Sequence, residues 1–304
     1  MARVAILLST YNGEKFLSEQ LDSFTAQEHA DWTLFWRDDG SADDSPAILR
    51  AFAPDRCVEI AAPAGNFGVL GSYFALLRAA LPILGPDDFA AFADQDDVWL
   101  PHKLAKGVAA LADVAACIPA LYCARQALVD AALRPIGTSP AFTRPPGFPA
   151  SLTQNIATGC TILLNRAAAA LVAESQPPAG TLHDWWSYLL VTAAGGRVIA
   201  DDTPALLYRQ HGGNVVGARR SHLQRAVAAV RRGPGPFMAD LRRHLDGLAA
   251  NAALLTDPAR RDVAYLRAAL ANGKLARLRA LRLPGLRRQG RREGLLFSLW
   301  FLLG

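Results

Sequence analysis

The sequence FAAFADQDDVW, residues 89–99, joins a strand signal to a concentration of negative charge. Its first five residues are a short continuous apolar run, which is typical of a strand buried on both faces of a sheet. The carboxylates of Asp94, Asp96 and Asp97 follow within four residues. Like charges this close repel one another unless hydrogen-bond donors or a cation balance them. The segment therefore predicts a buried strand with an acidic cluster at its carboxyl end.

Three other apolar segments show the same strand signal, and stretches with helical spacing lie between them. The strand candidates are residues 3–9, 32–36 and 58–61. The helix candidates are residues 16–24, a segment that begins after Asp43 or Asp44 and runs to Phe52, and residues 69–81. Strands that alternate with helices favour a parallel sheet covered on both faces. We therefore predict an α/β fold with a mostly parallel central sheet flanked by helices.

The composition is that of a folded protein with a large core. The chain has 304 residues, of which 51% are hydrophobic, and this excludes an intrinsically disordered chain. The four cysteines show no CxxC spacing, which favours a reduced, intracellular protein. The amino-terminal apolar run is too short for a signal sequence, and no run approaches the roughly 18 apolar residues of a spanning helix. We therefore predict a cytoplasmic location.

Polar clusters follow three of the predicted strands. They are residues 9–13 (STYNG), residues 38–41 (DDGS) and residues 94–97 (DQDD). Ligands of such sheets bind beyond the carboxyl ends of the strands, where these clusters would meet. Asp94 and Asp96 can present oxygens to one hard divalent cation that also binds substrate phosphates. The alternative is a solvated acidic turn that caps a helix beginning near Pro101.

Six segments, in chain order, resemble one known family. They are LLSTYNGEKFLSEQLDSF, RDDGSADDS, FADQDDVWLPHKL, ATGCTILLNRAA, HDWWSYLLVTAAGG and YRQHGGNVVG. Together they resemble the family 2 inverting glycosyltransferases, most of all the bacterial rhamnosyltransferase branch, over residues 3–217. The resemblance implies a GT-A type fold with a nucleotide-binding half followed by an acceptor half. We therefore expect a catalytic domain at residues 1–217 and a basic, amphipathic helical extension at residues 218–304.

The resemblance implies a nucleotide site on the first two polar clusters. Thr10, Tyr11 and Asn12 match the positions beside the nucleotide base and ribose. Asp39 matches the acid that hydrogen-bonds the uracil or thymine ring or the ribose, and Asp38 either does the same or supports the turn. The alternatives are a loop that simply leaves the sheet and a structural Asp-Gly turn.

The resemblance also implies a site for Mg or Mn. Asp94 and Asp96 match the DxD motif of the family, in which Asp96 would ligate the cation and Asp94 would contact the ribose or a metal-bound water. Asp97 would support these residues or contact the sugar. His211 would complete the metal or diphosphate site, and Arg209 would contact phosphate. The alternative for His211 is a surface histidine in a turn.

Asp184 matches the position of the general base in the same family. Residues 155–164 predict a strand, in which Gly159 allows close approach of a ligand or another backbone. A helix is predicted to begin near Thr181, so Asp184 lies in its first turn. The alternative is an acid stabilised by the helix dipole, which would lower the pKa of Asp184.

The basic region after residue 217 has two interpretations. Its arginines alternate with Leu and Ala at helical spacing. Basic amphipathic helices suit the anionic inner surface of a membrane, which predicts peripheral contact on the cytoplasmic face. The other interpretation is a helical cap that packs on the catalytic domain or on a second subunit. No nucleic-acid-binding motif accompanies the arginines, so we expect no nucleic-acid partner.

The predicted function is metal-dependent, inverting transfer of a sugar to a saccharide or lipid-linked saccharide in bacterial surface polysaccharide synthesis. The resemblance favours dTDP-rhamnose as donor, with a UDP-hexose as the alternative. The Gln-x-x-Arg-Trp motif of processive members is absent from the sequence, which favours addition of a single sugar. The rival hypothesis is a non-catalytic nucleotide-sugar-binding protein or a nucleotidyl-transferring relative with the same metal-phosphate site.

Overall fold

A computed structural model of the chain describes residues 2–60, 66–212 and 233–304. The strands in these ranges are β1 (Val4–Thr10), β2 (Trp32–Asp38), β3 (Cys57–Glu59), β4 (Phe89–Ala93), β5 (Val98–Trp99), β6 (Ala120–Asp130), β7 (Pro135–Thr138), β8 (Leu163–Asn165) and β9 (Arg197–Gln210). They form one sheet in the order β3-β2-β1-β4-β8-β6-β9-β5, and β7 pairs with β6.

Helices cover both faces of this sheet. Those before residue 212 are α1 (Glu14–Thr25), α2 (Ser45–Ala51), α3 (Gly68–Ala80), α4 (Lys103–Ala112), α5 (Arg166–Glu174) and α6 (His183–Ala193). Those after residue 233 are α7 (Pro234–Ala250), α8 (Asp257–Ala271), α9 (Gly273–Ala280) and α10 (Arg291–Leu303). The predicted α/β class is confirmed.

The direction of the strands divides the sheet into two parts. β3, β2, β1 and β4 are parallel neighbours, as the alternation of strands and helices predicted. β8 runs antiparallel to both β4 and β6, and β5 runs antiparallel to β9. β6 and β9 are again parallel. The sheet is therefore parallel through its amino-terminal half and mixed beyond it.

Alternation along β1 explains why its apolar run is continuous. Ala5 and Leu7 pack with α3, α5 and α6 on one face of the sheet. Val4, Ile6 and Leu8 pack with α1, α2 and α4 on the other. Side chains at successive positions of a strand point to opposite faces, so a strand covered on both faces must be apolar at every position.

The strand predicted at residues 155–164 is mostly wrong. Residues 155–158 are irregular, Gly159–Thr161 forms one turn of 3-10 helix, and regular pairing begins at Leu163. The side chain of His183 lies against this bend, because a Cβ at position 159 would be 2.6 Å from His183 Nε2. The glycine therefore admits a neighbouring side chain at a bend in the backbone.

The carboxyl-terminal helices share a core with the helices on one face of the sheet. Met238, Leu241 and Leu245 of α7 belong to the same apolar cluster as Trp186 of α6. A buried hydrogen bond of 2.8 Å joins Thr181 Oγ1 to His244 Nε2. The expected boundary between residues 217 and 218 lies outside the described residues. Within the described ranges, no helix is long and apolar enough to cross a membrane.

Candidate active site

The carboxyl ends of three parallel strands lie side by side. Thr10 at the end of β1 pairs with Asp38 at the end of β2, and Leu8 of β1 pairs with Ala93 at the end of β4. The loops that follow these strands therefore leave the sheet at one edge. The predicted convergence of the three polar clusters is confirmed.

Gln95, between the acids of the DxD motif, joins two of these loops. Its Oε1 accepts hydrogen bonds from Thr10 Oγ1 at 2.7 Å and from the Tyr11 N–H at 2.9 Å, and its Nε2 donates to the Tyr11 carbonyl at 3.1 Å. A Cβ at Gly13 would lie 2.4 Å from Gln95 Oε1, so a side chain at this position would displace the amide group of Gln95. Sequence reasoning missed Gln95, although its place inside the acidic motif was a signal.

Asn12 joins the first cluster to the second. Its N–H donates to Ser41 Oγ at 2.9 Å, and its Oδ1 accepts from the Ala42 N–H at 2.8 Å. Its φ of +49° lies in the left-handed region that asparagine tolerates. Tyr11 beside it is 53% exposed. In this structure Asn12 therefore connects the first polar cluster to the second by hydrogen bonds, while the aromatic ring of Tyr11 is exposed.

The carboxylates of Asp38 and Asp39 both accept hydrogen bonds from neighbouring groups of the protein. Asp38 accepts hydrogen bonds from the Gly40 and Ser41 N–H groups at 3.0 and 2.9 Å. Asp39 forms a buried ion pair of 2.5 Å with Arg37 and accepts from the N–H of Phe67 and of the residue after it, at the start of α3. Burial opposes ionisation of Asp39, yet these hydrogen bonds lower its pKa. Contact of either acid with a nucleotide stays a prediction.

Asp94 lies directly after β4 and contacts a tyrosine of α3. The Tyr73 hydroxyl is 2.6 Å from the Ala93 carbonyl oxygen and 3.0 Å from Asp94 Oδ1. Burial and then the charge of Asp96 raise the pKa of Asp94 to about 7. The hydroxyl has one hydrogen and two acceptors, so a proton on Asp94 would satisfy both contacts. Near neutral pH this carboxyl lies between its charged and neutral forms.

Asp97 points into the protein. Its Oδ1 accepts from the Arg209 N–H at 3.2 Å, and its Oδ2 has no hydrogen-bond partner within the described ranges. Burial and then the charges of Asp94 and Asp96 raise the pKa of Asp97 well above its usual range. One ligand atom each of Asp94, Asp97 and Cys160 lie within 4.8 Å of one another. A buried thiol is a soft ligand, so this trio lacks the all-oxygen donor set that Mg²⁺ prefers.

Lys103 places a buried amino group next to residues 94–97, which are called the acidic loop below. Its Nζ lies 3.2 Å from the centre of the Trp99 ring. Burial lowers the pKa of Lys103 to about 7, although the neighbouring Cys160, Asp97 and Asp94 favour its charged form. Sequence reasoning did not identify this residue. The available signal was a lysine within the motif segment, on a helix that is otherwise largely apolar.

Asp96 and His211 form the more accessible part of the site. His211 Nε2 lies 2.6 Å from Asp96 Oδ2, and the two side chains are 21% and 17% exposed. The His211 ring packs on Phe16 at a centroid distance of 4.8 Å. A carboxylate oxygen and an imidazole nitrogen are donors that Mn²⁺ accepts, and Mg²⁺ accepts the former. This pair offers one oxygen and one nitrogen donor at a partly exposed position, whereas a ligand atom of Asp94 groups with those of Asp97 and Cys160.

Arg209 contacts the backbone of the acidic loop. Its Nε donates to the Asp96 carbonyl at 2.9 Å, its Nη1 donates to the Ala131 carbonyl at 2.7 Å, and its Nη2 pairs with Glu19. The guanidinium group also stacks over Phe16 at 4.4 Å. The side chain is buried. In this structure Arg209 holds the backbone of the loop, and its contact with a phosphate stays a prediction.

Asp184 lies in the first turn of α6 and is buried. Its Oδ1 accepts from the Trp185 N–H at 2.5 Å and its Oδ2 from the Gly159 N–H at 3.1 Å. The helix dipole was expected to lower its pKa; instead burial raises it to about 6, and hydrogen bonds from Trp185, Gly159 and Asn155 offset this only in part. The charge of Asp184 also contributes to the raised pKa of Asp94. The two carboxyl groups therefore interact electrostatically.

His183 forms a packed connection between α6 and the acidic loop. Its ring stacks on Tyr73 at 3.9 Å and meets Phe92 edge-on at 4.9 Å. Both ring nitrogens are buried without a hydrogen-bond partner among the described residues. Burial lowers the pKa of His183 to about 3, so the ring is neutral. His183 therefore positions two neighbours, Tyr73 beside Asp94 and the base candidate Asp184.

Comparison with known proteins agrees with this arrangement. Residues 5–169, more than half of the chain, match the model of glycosyl transferase family 2. The dTDP-rhamnosyl transferase RfbG of Shigella flexneri is 28% identical over 231 residues, which are 70% of this chain and 75% of that protein. An Escherichia coli enzyme, the UDP-Glc:alpha-D-GlcNAc-diphosphoundecaprenol beta-1,3-glucosyltransferase WfgD, is 30% identical over 101 residues, which are 33% of this chain and 38% of that enzyme.

Among solved structures, TarS of S. aureus in complex with UDP-GlcNAc superposes with a TM-score of 0.60 at 15% identity. The match covers 88% of this chain and 71% of that one. The expected GT-A type fold is confirmed. The family match, over more than half of the chain, also settles the class of enzyme. The chain belongs to glycosyl transferase family 2 and is a glycosyltransferase.

Proposed function

We propose that this glycosyltransferase transfers one sugar, with inversion, from a nucleoside-diphosphate donor to a hydroxyl of a saccharide or lipid-linked saccharide. The observation that carries the proposal is the buried carboxyl of Asp184, with its pKa raised to about 6, in electrostatic contact with the acidic loop. A base with a pKa near the working pH combines a large charged fraction with useful basicity.

In the proposed reaction the acceptor hydroxyl gives its proton to Asp184. Its oxygen forms a bond to the anomeric carbon of the donor sugar, and the bond from that carbon to the diphosphate oxygen breaks. The nucleoside diphosphate leaves with the bonding electrons. The Gly159 and Trp185 N–H groups orient the base, and His183, next to it in the chain, stacks on Tyr73.

Mg or Mn is the proposed cofactor, held by Asp96 and His211 with Asp94. When bound, the cation would supply positive charge for the leaving diphosphate. The donor set carries this proposal, because the accessible carboxylate and imidazole are 2.6 Å apart. Asp97 would act from the interior, by keeping the loop in place through the Arg209 N–H.

The donor is proposed to be dTDP-rhamnose, with a UDP-hexose as the alternative. The similarity to RfbG over 70% of the chain supports the first, and the names of WfgD and of the TarS complex support the second. Thr10, Tyr11 and Asn12 would line the base and ribose, with the exposed ring of Tyr11 as the stacking surface. Asp38 and Asp39 would contribute through the turn that they hold.

The acceptor is proposed to be an intermediate of bacterial surface polysaccharide synthesis. The name of WfgD describes a lipid-linked diphosphate saccharide as its acceptor, which supports this class. The chemistry of transfer requires only a free hydroxyl within reach of Asp184.

Replacement of Asp184 by Asn tests the proposal. The variant keeps the size of the side chain and a hydrogen-bond acceptor but cannot take a proton, so transfer should fall by about 10²–10⁴-fold. Transfer would be measured with a panel of nucleotide sugars, and nucleoside diphosphate binding by calorimetry with and without Mn²⁺. Full transfer activity of the variant would contradict the proposal and would favour a nucleotidyl-transferring relative that needs no base. Retained nucleotide binding separates loss of the base from loss of the fold.

A further inference from the structure

A cavity of about 460 Å³ opens among the carboxyl-terminal helices, at the start of α10. Three arginines line it, Arg144, Arg287 and Arg291. Leu281, Leu286 and Leu295 form its apolar wall. A cavity lined by both arginines and leucines matches a ligand with an anionic head and an apolar chain.

The positive charge of this region is not balanced locally. Within the described ranges, none of the three guanidinium groups forms an ion pair with an acid. Residues 273–304 contain eight Lys and Arg residues and one acid, Glu293. The backbone N–H groups of the first turn of α10 add partial positive charge at the cavity. The region therefore attracts anions, phosphate groups among them.

An apolar stripe continues from the cavity along α10. Leu295, Leu299 and Leu303 are 74%, 51% and 59% exposed, and their spacing of four residues places them on one face of the helix. The opposite face carries Phe297 and Phe301, which are buried in the core. Leu295 also lines the cavity, so the cationic pocket and the exposed stripe form one continuous surface.

This surface is connected to the base through one loop. The Arg144 N–H donates to Gln289 Oε1 at 2.8 Å, and Thr153 Oγ1 donates to the Arg287 carbonyl at 3.1 Å. Two residues further on, the side chain of Asn155 hydrogen-bonds Asp184. A ligand held in the cavity would therefore orient the catalytic part of the chain.

We propose that the cavity arginines and the leucine stripe of α10 dock the chain on a bilayer that contains anionic phospholipids. A lipid phosphate would bind Arg144, Arg287 and Arg291, while Leu295, Leu299 and Leu303 enter the acyl layer. Charge complementarity favours this occupant over a second copy of the chain, because a second copy would bring the same net positive surface to the contact. The inference goes beyond sugar transfer and does not depend on the donor or the acceptor.

Vesicle flotation of the full chain tests the docking surface. Vesicles of phosphatidylcholine alone would be compared with vesicles that also contain phosphatidylglycerol. Each basic residue near an anionic surface strengthens binding by roughly five-fold or more, so reversal of Arg287 and Arg291 to Glu should weaken binding to the anionic vesicles by at least about ten-fold. Leu295→Gln combined with Leu299→Gln should weaken binding by a similar factor.

Arg261→Glu is the matched control. Arg261 is an exposed arginine of α8 with no ion pair among the described residues, and its reversal should change vesicle binding less than two-fold. Equal flotation with both vesicle types, or an equal loss in the control, would overturn the proposal. Light scattering would detect a dimer that disappears in the leucine variant, and that result would assign the stripe to a second copy instead.

Nucleoside diphosphate binding by calorimetry gives an independent reading of folding in each variant. It should be unchanged in the arginine and leucine variants, because these residues lie outside the nucleotide site. If the wild-type chain floats with anionic vesicles but binds no nucleotide, the proposed function fails while the docking surface stands. The reverse result would contradict only the docking surface.

Discussion

Two acidic turns at the same sheet edge, after β2 and after β4, balance their charge in opposite ways. In the turn after β2, Asp39 pairs with the buried Arg37 and with backbone N–H groups, and its pKa is lowered. In the turn after β4, burial and mutual repulsion raise the pKa of Asp94 and of Asp97. In the turn after β2, groups of the protein itself balance the charge of Asp39. In the turn after β4, the fold does not fully stabilise the charge of the carboxyl groups.

We expect this difference to separate acids that mainly stabilise the fold from acids that mainly bind a ligand. A carboxylate that already has its donors gains little from a ligand, and its removal damages the fold. A carboxyl group that is desolvated and crowded gains much from a cation, and its removal damages function while relieving the fold. Substitutions in the turn after β2 should therefore mainly lower stability, and substitutions in the turn after β4 should mainly lower activity.

Among the acids of the two turns, the largest expected effect is the loss of transfer when Asp96 becomes Asn. A neutral amide would bind the proposed cation weakly and would no longer pair with His211, so transfer should fall by about 10²–10³-fold. Initial rates at saturating donor, and calorimetry of a nucleoside diphosphate with and without Mn²⁺, measure it. Metal-dependent binding equal to that of the wild type would remove the distinction between the two turns.

The second effect is a loss of stability when Asp39 becomes Asn. Arg37 would lose its carboxylate partner inside the protein, which typically costs about 3 kcal/mol. Urea unfolding measures the change in the free energy of unfolding. Asp38→Asn is the control, because Asp38 accepts hydrogen bonds from exposed or partly buried N–H groups and has no buried cationic partner like that of Asp39 among the described residues, so its replacement should cost about 1 kcal/mol. A larger loss for Asp38 than for Asp39 would contradict the comparison.

The sequence was sufficient to predict the strands and the shared edge, but not the balance of charge at each turn. β1, β2 and β4 follow from apolar runs, because a strand covered on both faces has no polar position. Burial by distant parts of the chain contributes most to the charge balance, together with contacts between residues far apart in sequence, such as Phe67 with Asp39 and Tyr73 with Asp94. Motif spacing cannot show those contacts.

The prediction of a lowered pKa for Asp184 was wrong for a related reason. Its place in the first turn of a helix indicated a lowered pKa, and that reasoning used local sequence alone. Burial by the surrounding chain acts in the opposite direction and is the stronger effect, so the pKa rises to about 6. In the same way, the close approach of His183 to Gly159, in the irregular segment before β8, is a contact that residues 155–164 do not reveal.

The third prediction concerns the pH dependence of stability. The pKa of Asp184 rises from an ordinary 3.8 to about 6 on folding, so the folded state binds the proton more tightly than the unfolded state. Asp184 therefore lowers stability progressively as the pH rises from about 4 to about 6, by roughly 3 kcal/mol in total. For Asp39, whose pKa is lowered, the contribution is present above its ordinary pKa and is lost as the pH falls.

Thermal unfolding at pH 5 and pH 8 measures this difference. The Asp184→Asn variant should gain stability relative to the wild type on moving from pH 5 to pH 8. The kcat/KM of the wild type should rise through a pKa near 6, because the base must be deprotonated. If the stability of the variant relative to the wild type did not change between pH 5 and pH 8, Asp184 would resemble the acids of the turn after β2, whose contribution is constant in that range.

The smallest expected effect comes from Gln95, which joins the loop after β1 to the acidic loop after β4. Gln95→Ala removes three hydrogen bonds that hold the β1 loop to the acidic loop, but water can replace them at this partly exposed site. We expect a stability loss of about 1 kcal/mol and a rise of a few-fold in the KM for the donor, with kcat nearly unchanged. Gln95→Glu is the control, since it retains the Oε1 acceptor but adds a charge to the acidic loop. It should therefore increase the dependence on Mn²⁺, and a fall in kcat with an unchanged KM in the alanine variant would instead place Gln95 in the chemical step.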